Sequence, residues 1–251
     1  MTGSANPEVT GGRSKRASRV GNDVPEPRVT SMFDSIAPVY DRMNTLMTAG
    51  LDGRWRRAAV RATGLGRGGR GLDVACGTGK LTAALAGAVG PEGKVTGVDL
   101  SPAMIEHAKR AFGELNGVEF VLGNALALPV ADGSFDAATI GFGLRNLASY
   151  EDGFRELSRA VRSGGRVVCL ELSQPRPRWW GHLYTGAFRI AAPVMGALFR
   201  RRAAYSYLPN SLKGFPDAQE IAEVMRRAGL RDVTFKRLAL GGVALHVGTV
   251  A

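Results

Sequence analysis

The stretch Gly71-Leu-Asp-Val-Ala-Cys-Gly-Thr-Gly-Lys-Leu-Thr82 decides the fold of this chain. A short apolar run ends there in a glycine turn, a helical segment follows, and a second apolar run, Val95-Thr-Gly-Val-Asp99, ends in an acidic residue. This is the pattern of a βαβ unit, which holds an adenosine-containing ligand above the carboxyl ends of its strands. Gly77 and Gly79 can adopt backbone angles closed to other residues, and they let a ligand approach the main chain.

Two acidic residues narrow the class of ligand. The turn departs from the dinucleotide fingerprint Gly-x-Gly-x-x-Gly/Ala, because Thr82 stands in the third small position. Asp73, just before the turn, would repel a diphosphate but would suit a cationic or amino-acid portion of a ligand. Asp99 ends the second strand, where a carboxylate can accept both ribose hydroxyls. Since S-adenosylmethionine (SAM) carries an ammonium, a sulfonium and no phosphate, the pattern favours a SAM-dependent methyltransferase over an NAD enzyme.

The composition sets the outer limits of the domain. The chain has 251 residues, enough for one α/β domain with a sizeable core. Residues 1–28 are rich in Ser, Gly, Pro and Arg and lack an apolar stretch, so we expect a disordered basic tail and no secretory signal. Cys76 and Cys169 fall inside predicted strands, so two buried thiols are expected rather than a disulfide. A nucleophilic Cys76 is the alternative, although ligand packing also explains its place in the turn.

Much of the net charge of +11 lies in one basic aromatic segment. Residues 176–202 contain six arginines and no Asp or Glu, interleaved with Trp, Tyr, Phe and long aliphatic side chains. A basic protein can bind nucleic acid, but arginine next to Trp and long aliphatics is typical of a helix in a membrane interface. A central Arg189 argues against a lipid-exposed span. We therefore expect residues 174–216 to form a helical cap that either touches a membrane or only packs on the sheet.

Strand and helix signals alternate through the rest of the chain, which predicts a mostly parallel sheet. Two helical pieces, 29–40 and 41–47, are expected before a helix at 51–63, with Pro38 kinking or restarting the first. The short Leu240-Gly-Gly242 connection predicts an antiparallel hairpin at the end. The predicted strands are 71–76, 94–99, 118–123, 135–141, 166–172, 233–239 and 243–250, and the predicted core helices are 81–89, 102–115, 150–161 and 217–228. Residues 29–251 should thus form one domain, with helices at 29–63 preceding a seven-stranded sheet of the class I methyltransferase type.

Two more strand ends should complete the ligand site. Asn124 follows the third strand, where its amide can both donate to and accept from an adenine edge. The fourth strand ends in Gly141-Phe-Gly-Leu-Arg-Asn146, at the same rim as the glycine turn. Arg145 and Asn146 are therefore expected at the ligand site. The alternative is a surface ion pair for Arg145 and a helix cap for Asn146.

Several motifs resemble a single family. They are Phe33-Asp-Ser-Ile-Ala-Pro-Val-Tyr-Asp41, Trp55-Arg56, Gly141-Phe-Gly-Leu-Arg-Asn146, Tyr207-Leu-Pro209 and Gly242-Val-Ala-Leu-His246. From about residue 32 to its end, the chain resembles the UbiE-type C-methyltransferases of menaquinone and ubiquinone biosynthesis. The resemblance implies a class I methyltransferase fold, SAM as the donor, and methylation of a ring carbon of a prenylated hydroquinone, most directly demethylmenaquinol to menaquinol.

The resemblance also implies roles for individual residues. The implied SAM contacts are Thr78 in the glycine turn, Asp99, Asn124, Ala125 and a Tyr40 that closes over the cofactor. Tyr205 and Tyr207 are the candidate substrate contacts, in a segment that differs from the menaquinone enzymes. Family members commonly have Ser where this chain has Gly141, so a hydroxyl contact is lost there.

The expected chemistry needs a nucleophilic carbon ortho to a quinol hydroxyl. Deprotonating that hydroxyl raises electron density on the carbon, which attacks the methyl group in line. Arg145 is expected to stabilise the phenolate, because a guanidinium stays protonated at neutral pH. A water held by Arg145 and Asn146, or His246, would take the proton. Since His246 lies in a predicted strand, a structural histidine is an equal alternative.

Three other functions compete with this one. A relative that methylates another aromatic or polyketide carbon is the nearest. A SAM-fold binding protein or cyclase is less favoured, because Asp73 and Asp99 are both present. A nucleic-acid methyltransferase is least favoured, because no Asn/Asp-Pro-Pro-aromatic signature follows the fourth strand. We expect no metal and no nucleic-acid partner, leave a homodimer open, and expect a cytoplasmic enzyme with peripheral contact at the inner face of the membrane through 176–202.

Overall fold

The structure is a computed structural model that describes residues 21–22, 24–174 and 214–251. The basic aromatic segment 176–202, most of the predicted cap at 174–216, and the candidate substrate residues Tyr205 and Tyr207 lie outside the described residues. Within the described ranges, no helix is both long enough and apolar enough to cross a membrane.

A seven-stranded sheet forms the centre of the domain, in the order β3-β2-β1-β4-β5-β7-β6. The strands are β1 Arg70–Val74, β2 Lys94–Asp99, β3 Val118–Leu122, β4 Phe135–Gly141, β5 Val161–Leu172, β6 Arg231–Leu238 and β7 Val243–Thr249. The first five pair in parallel, and β7 pairs antiparallel with both β5 and β6. The predicted class I methyltransferase sheet with its terminal hairpin is confirmed.

Helices cover both faces of this sheet. They are α1 Glu26–Met47, α2 Asp52–Thr63, α3 Lys80–Val89, α4 Pro102–Phe112, α5 Tyr150–Ala160 and α6 Ala218–Arg227, with 3-10 turns at Leu144–Asn146 and Ala239–Gly241. The largest apolar cluster lies where α5 and α6 pack on the sheet, and it includes the fully buried Phe154, Leu157 and Met225. On the opposite face, α2 and α3 bury Ala59 and Leu81 against β5 and β7. Short loops at the carboxyl ends of the parallel strands are left to form a cleft.

The N-terminal part of the fold differs from the prediction in two ways. Helix α1 runs as one element through Pro38, so the predicted division into two pieces was wrong. Ile36, Ala37 and Met43 are buried in a cluster with Met104 of α4, and this packing outweighs the one backbone hydrogen bond that a proline removes.

The predicted end of the disordered tail, at residue 28, was also wrong. Several described residues before it belong to the folded domain. Helix α1 begins at Glu26, and the Asn22 amide donates to Leu147 O at 2.8 Å. Gly21 packs so closely on the main chain of Ala148 that a Cβ built on it would lie 2.0 Å from that carbonyl oxygen. A local composition rich in Ser, Gly and Pro does not reveal contacts with residues more than a hundred positions away.

Strand β5 begins earlier than predicted, at Val161 instead of residue 166. Its register on β4 jumps from the Phe135–Val161 pair to the Ala137–Arg166 pair. Residues 163–165 lie in this bulge, and Gly164 adopts the left-handed φ of 74° within it.

Candidate active site

A cleft of about 740 Å³, including the part open to solvent, lies at the carboxyl ends of β1 to β4. Its lining includes six of the predicted site residues, from three strand ends, helix α1 and the loop after β4. They are Tyr40, Gly77, Asp99, Asn124, Ala125 and Asn146. Phe33 of α1 also lines the cleft, so this helix forms one wall of the site.

The two glycines of the turn have different roles. Gly77 lines the cleft with φ at 55°, and a Cβ built on it would lie 3.9 Å from Cε1 of Tyr40 across the cleft. Gly79 is outside the described lining; its φ is 84°, and a Cβ there would lie 2.9 Å from Cζ of Phe120. Gly79 therefore allows close packing beneath the turn, and the predicted ligand contact is left to Gly77.

Thr78, between these glycines, is buried and faces helix α1 instead of the cleft. Its Oγ1 donates to Oδ1 of Asp41 at 2.8 Å. The Thr78 side chain thus joins the turn to α1, and its implied cofactor contact remains a prediction.

Asp99 lies in the cleft, where its carboxylate also joins two loops. Oδ2 accepts from the Gly77 amide at 2.8 Å, and Oδ1 accepts from the Ser101 amide at 2.9 Å. Desolvation by burial raises the pKa of Asp99, and these backbone donors oppose that effect. A carboxylate offers about four lone-pair sites, so these backbone donors leave Asp99 able to accept from a ribose hydroxyl.

Asn124 lines the cleft, but its amide is engaged by the protein at both ends. Oδ1 accepts from the Leu126 amide at 2.8 Å, and Nδ2 donates to the Glu26 carboxylate at 3.3 and 3.4 Å. These contacts leave the Asn124 carbonyl oxygen a second lone pair, and the predicted contact with an adenine edge remains a prediction. Asn124 holds the loop, while Glu26 and Ala125 line the cleft beside it.

Glu26 was not predicted as a site residue, because it lies inside the predicted tail. A proline and an acidic residue at the start of a helix are recognised start signals, and Glu26 and Pro27 supply both. These signals were sufficient to place the helix start before residue 29.

Asp73 is outside the described cleft lining, and its predicted cofactor contact remains a prediction. The side chain is 1% exposed, and it accepts from Thr82 Oγ1 at 2.7 Å and from Thr139 Oγ1 at 2.8 Å. Burial raises its pKa from 3.8 to about 6, against the lowering effect of the two threonines. The spacing between Asp73 and the turn could not show that its carboxylate points toward Thr82 and Thr139.

We expect the variant Asp73→Asn to lose part of the pH dependence of stability. The pKa is higher in the folded state, about 6 against 3.8. The contribution of this proton to stability is therefore complete below pH 3.8 and lost as the pH rises through 6. The shift corresponds to about 3 kcal/mol of unfolding free energy. Asparagine does not ionise, and threonine hydroxyls can both donate to it and accept from it.

Urea unfolding between pH 4 and 7 measures this effect as the difference between variant and wild type. Glu114→Gln, a change at an exposed residue, is the control and should show no such difference. A flat difference curve for Asp73→Asn would mean that Asp73 is ionised throughout this range.

Arg145 is held in a buried ion pair. Nη1 donates to Glu171 Oε1 at 2.7 Å and to the Phe142 carbonyl at 2.5 Å, and the Arg145 amide donates to Glu171 Oε2 at 3.2 Å. The side chains of Arg145 and Glu171 are 7% and 1% exposed. Arg145 is outside the described cleft lining, whereas Asn146 is part of it. The predicted contact between this guanidinium and a phenolate remains a prediction, and the structure adds that Glu171 offsets its charge.

Two residues of the cleft wall have strained backbones and were not predicted. Ala75 and Phe142 have φ of 53° and 59°, in the left-handed region that favours glycine. The Phe142 ring is held from outside the cleft: its centroid is 6.3 Å from that of Trp55 and 5.6 Å from the guanidinium carbon of Arg56. The Trp55-Arg56 motif was the available sequence evidence for this support.

Gly141 also lines the cleft, at the position where family members commonly have Ser. A Cβ built on Gly141 would lie 2.9 Å from Cδ2 of Leu81. A serine there would require Leu81 to move, so in this chain the leucine occupies space that a hydroxyl-bearing side chain needs.

His246 and the two cysteines are buried in the sheet. The His246 ring is 1% exposed and outside the described cleft lining, and its Nε2 lies 2.8 Å from Ala218 O at the start of α6. Burial lowers its pKa, so the position favours the structural alternative over a catalytic base. Cys76 and Cys169 are free, buried thiols as predicted, and burial raises the pKa of each. A nucleophilic Cys76 is disfavoured, because the thiolate is the reactive form.

The charges of the cleft fit a cationic ligand. Among the described residues that line it, Glu26 and Asp99 are the charged ones, and no Lys or Arg is present. A pyrophosphate would lack a cationic partner in this lining, whereas the ammonium and sulfonium of SAM suit two carboxylates. The residues present therefore fit SAM better than a dinucleotide.

Solved structures show the same fold. The [4+2]-cyclase SpnF has a TM-score of 0.67 at 19% identity, covering 92% of this chain and 98% of its own. A SAM-dependent methyltransferase from Aquifex aeolicus has a TM-score of 0.60 at 17% identity, covering 84% of this chain and 98% of its own. Because one neighbour is a cyclase, the fold alone does not decide the reaction.

Sequence comparison is more specific. The demethylmenaquinone methyltransferase of Geobacillus stearothermophilus is 42% identical over 227 residues, or 89% of this chain and 97% of the relative. The demethylmenaquinone methyltransferase of Staphylococcus aureus is 37% identical over 228 residues, covering 90% and 95%. The model of the ubiE/COQ5 methyltransferase family matches residues 22–250, including the motifs that carried the resemblance. This chain therefore belongs to the ubiE/COQ5 methyltransferase family.

Proposed function

We propose that this protein methylates a ring carbon of demethylmenaquinol, with SAM as the methyl donor. The observation that carries the proposal is 37–42% identity, along about 90% of the chain, to proteins named demethylmenaquinone methyltransferase. The acidic cleft at the strand ends agrees with the donor, since its described lining suits a cation and offers no cationic partner to a phosphate.

In this proposal the cleft holds SAM through the residues that line it. Asp99 takes the ribose hydroxyls, Gly77 allows close approach of the main chain, and Tyr40 covers the turn. Bound SAM supplies an electrophilic methyl group. The main contribution of the protein is alignment of the quinol carbon with that group, and positioning of this kind contributes roughly 7–11 kcal/mol.

Asn146 and Arg145 are the proposed residues for the quinol hydroxyl. Asn146 lies on the cleft wall, where its side chain can orient the hydroxyl or a water that takes its proton. Arg145 positions Asn146 through its bonds to Glu171 and Phe142. Glu171 neutralises part of the positive charge of Arg145, and the remaining charge stabilises the phenolate.

The test is anaerobic incubation of the protein with SAM and chemically reduced demethylmenaquinone, read by mass spectrometry. A quinone product one methylene heavier, with S-adenosylhomocysteine formed in equal amount, is the expected result. No methylated quinone, despite measured SAM binding, would refute the acceptor and direct the search to other phenolic or polyketide substrates.

Peripheral membrane contact through residues 176–202 remains part of this proposal. The argument is compositional: six arginines beside aromatic side chains, with no acidic residue, and a substrate class that resides in lipid. Flotation with anionic vesicles measures this contact, and we expect the protein to float with them. If the segment only packs on the sheet, the protein should not bind the vesicles.

A further inference from the structure

Helix α1 carries acidic side chains to the loops that form the cleft. Oδ1 of Asp34 accepts from Ser101 Oγ at 2.5 Å and from the Ala103 amide at 3.3 Å. Ser101 is directly connected to the site, because its own amide donates to Asp99. Asp34 is therefore three hydrogen bonds away from Gly77, through Ser101 and Asp99.

Two other carboxylates of α1 reach the loops on either side. Asp41 accepts from Thr78 Oγ1 at 2.8 Å in the turn after β1, and it lies 3.4 Å from Lys80 Nζ. Glu26 accepts from Asn124 Nδ2, in the loop after β3. With Asp34 at the loop after β2, each of the three neighbouring strand ends is tied to a different acid of one helix.

The spacing of these acids places them on one side of the helix. At 3.6 residues per turn, positions 26, 34 and 41 fall within about 80° of one another. Phe33 and Tyr40 of the same helix line the cleft. Helix α1 thus covers the cleft with aromatic side chains and is bound at three points along its length.

We propose that Glu26, Asp34 and Asp41 form a carboxylate clasp, which holds α1 over the cleft and sets how fast the cofactor leaves. The three acids are positioning residues: Asp34 and Asp41 contact loops, and Glu26 fixes Asn124 while itself lining the cleft. A ligand enclosed between α1 and the strand ends leaves only after these bonds open together. The inference depends on the proposed function only in taking SAM as the ligand.

The test is the dissociation rate of SAM, measured by displacement of radiolabelled SAM with excess unlabelled SAM. Asp34→Ala and Asp41→Ala are each expected to raise this rate about tenfold, since a hydrogen bond to a charged group is lost in each. Glu106→Ala on α4 is the matched control. It removes an exposed acid that pairs with Arg110 on its own helix, and it should leave the rate unchanged.

A double variant separates the clasp from general loss of stability. If Asp41 acts through Thr78, then Asp41→Ala combined with Thr78→Val should raise the rate no more than the larger single change. Thermal unfolding of every variant is recorded in parallel. Glu26→Ala, in the first helical turn, is expected to raise the rate as well.

The outcomes distinguish the two proposals. Lower melting temperatures with unchanged SAM dissociation rates would overturn the clasp and leave the three acids a purely structural role. Absence of SAM binding by the wild-type protein would instead refute the proposed function. Faster dissociation in all three acid variants, with Glu106→Ala like the wild type, supports the clasp.

Discussion

The variant Asp99→Asn is expected to bind SAM about 100-fold more weakly than the wild-type protein. An asparagine has one acceptor oxygen where the aspartate has two, so it cannot accept from both the Gly77 and the Ser101 amides. It also offers fewer acceptor sites to the ribose. The loss of two hydrogen bonds to a charged group, each contributing about 1.5–3 kcal/mol, accounts for a change of this size.

Isothermal titration calorimetry measures this effect, with Asp73→Asn as the matched control. The two variants share the same chemical change at two acidic residues of neighbouring strands, but Asp73 is outside the described cleft lining. Asp73→Asn should keep the wild-type affinity. Wild-type affinity for SAM in both variants would remove Asp99 from the ribose site. An equal loss of affinity in both would mean that Asp73 also contributes to binding.

The second large effect is expected in stability, from Arg145→Met. This change leaves the Glu171 carboxylate, which is 1% exposed, without its cationic partner. Breaking a buried ion pair by removing one partner costs about 3–5 kcal/mol of unfolding free energy. Because Glu171 also accepts from the Arg145 and Leu172 amides, the damage should extend to the loop that carries Asn146.

Urea unfolding of Arg145→Met, Glu171→Gln and the double variant measures the coupling between the two residues. The double variant should be more stable than Arg145→Met, because burying a neutral glutamine costs less free energy than burying an unpaired carboxylate. Arg155→Met breaks an exposed pair with Glu151 and should cost at most about 1 kcal/mol. If Arg145→Met proves as mild as Arg155→Met, the buried pair contributes little to the stability of the fold.

The sheet was largely predictable from the sequence because its strands are short apolar runs between glycine turns. The bounds of β2 and β4 were predicted to the residue, since Asp99 and Gly141 end them at the rim. Helix α1 was not predicted as one element. Its continuity through Pro38 depends on burial against α4, a contact that local propensity does not contain.

The site was predictable where position along a strand decides function. Asp99 and Ala125 are at the ends of parallel strands, and both line the cleft. For Asp73, Thr78 and Gly79 the structure adds which way each residue faces, and their predicted cofactor contacts remain predictions. Spacing places these three residues near the turn, but the hydroxyls of Thr82 and Thr139, the carboxylate of Asp41 and the ring of Phe120 decide their roles.

The acidic lining of the cleft bears on product release. Methyl transfer converts a sulfonium into a neutral thioether, so the spent cofactor carries one positive charge less than the donor. Glu26 and Asp99, the charged side chains of the described lining, attract the donor more strongly than the by-product. The reaction therefore weakens the electrostatic hold of the cleft on its own by-product, and the inhibition constant of S-adenosylhomocysteine should respond less to added salt than the affinity for SAM.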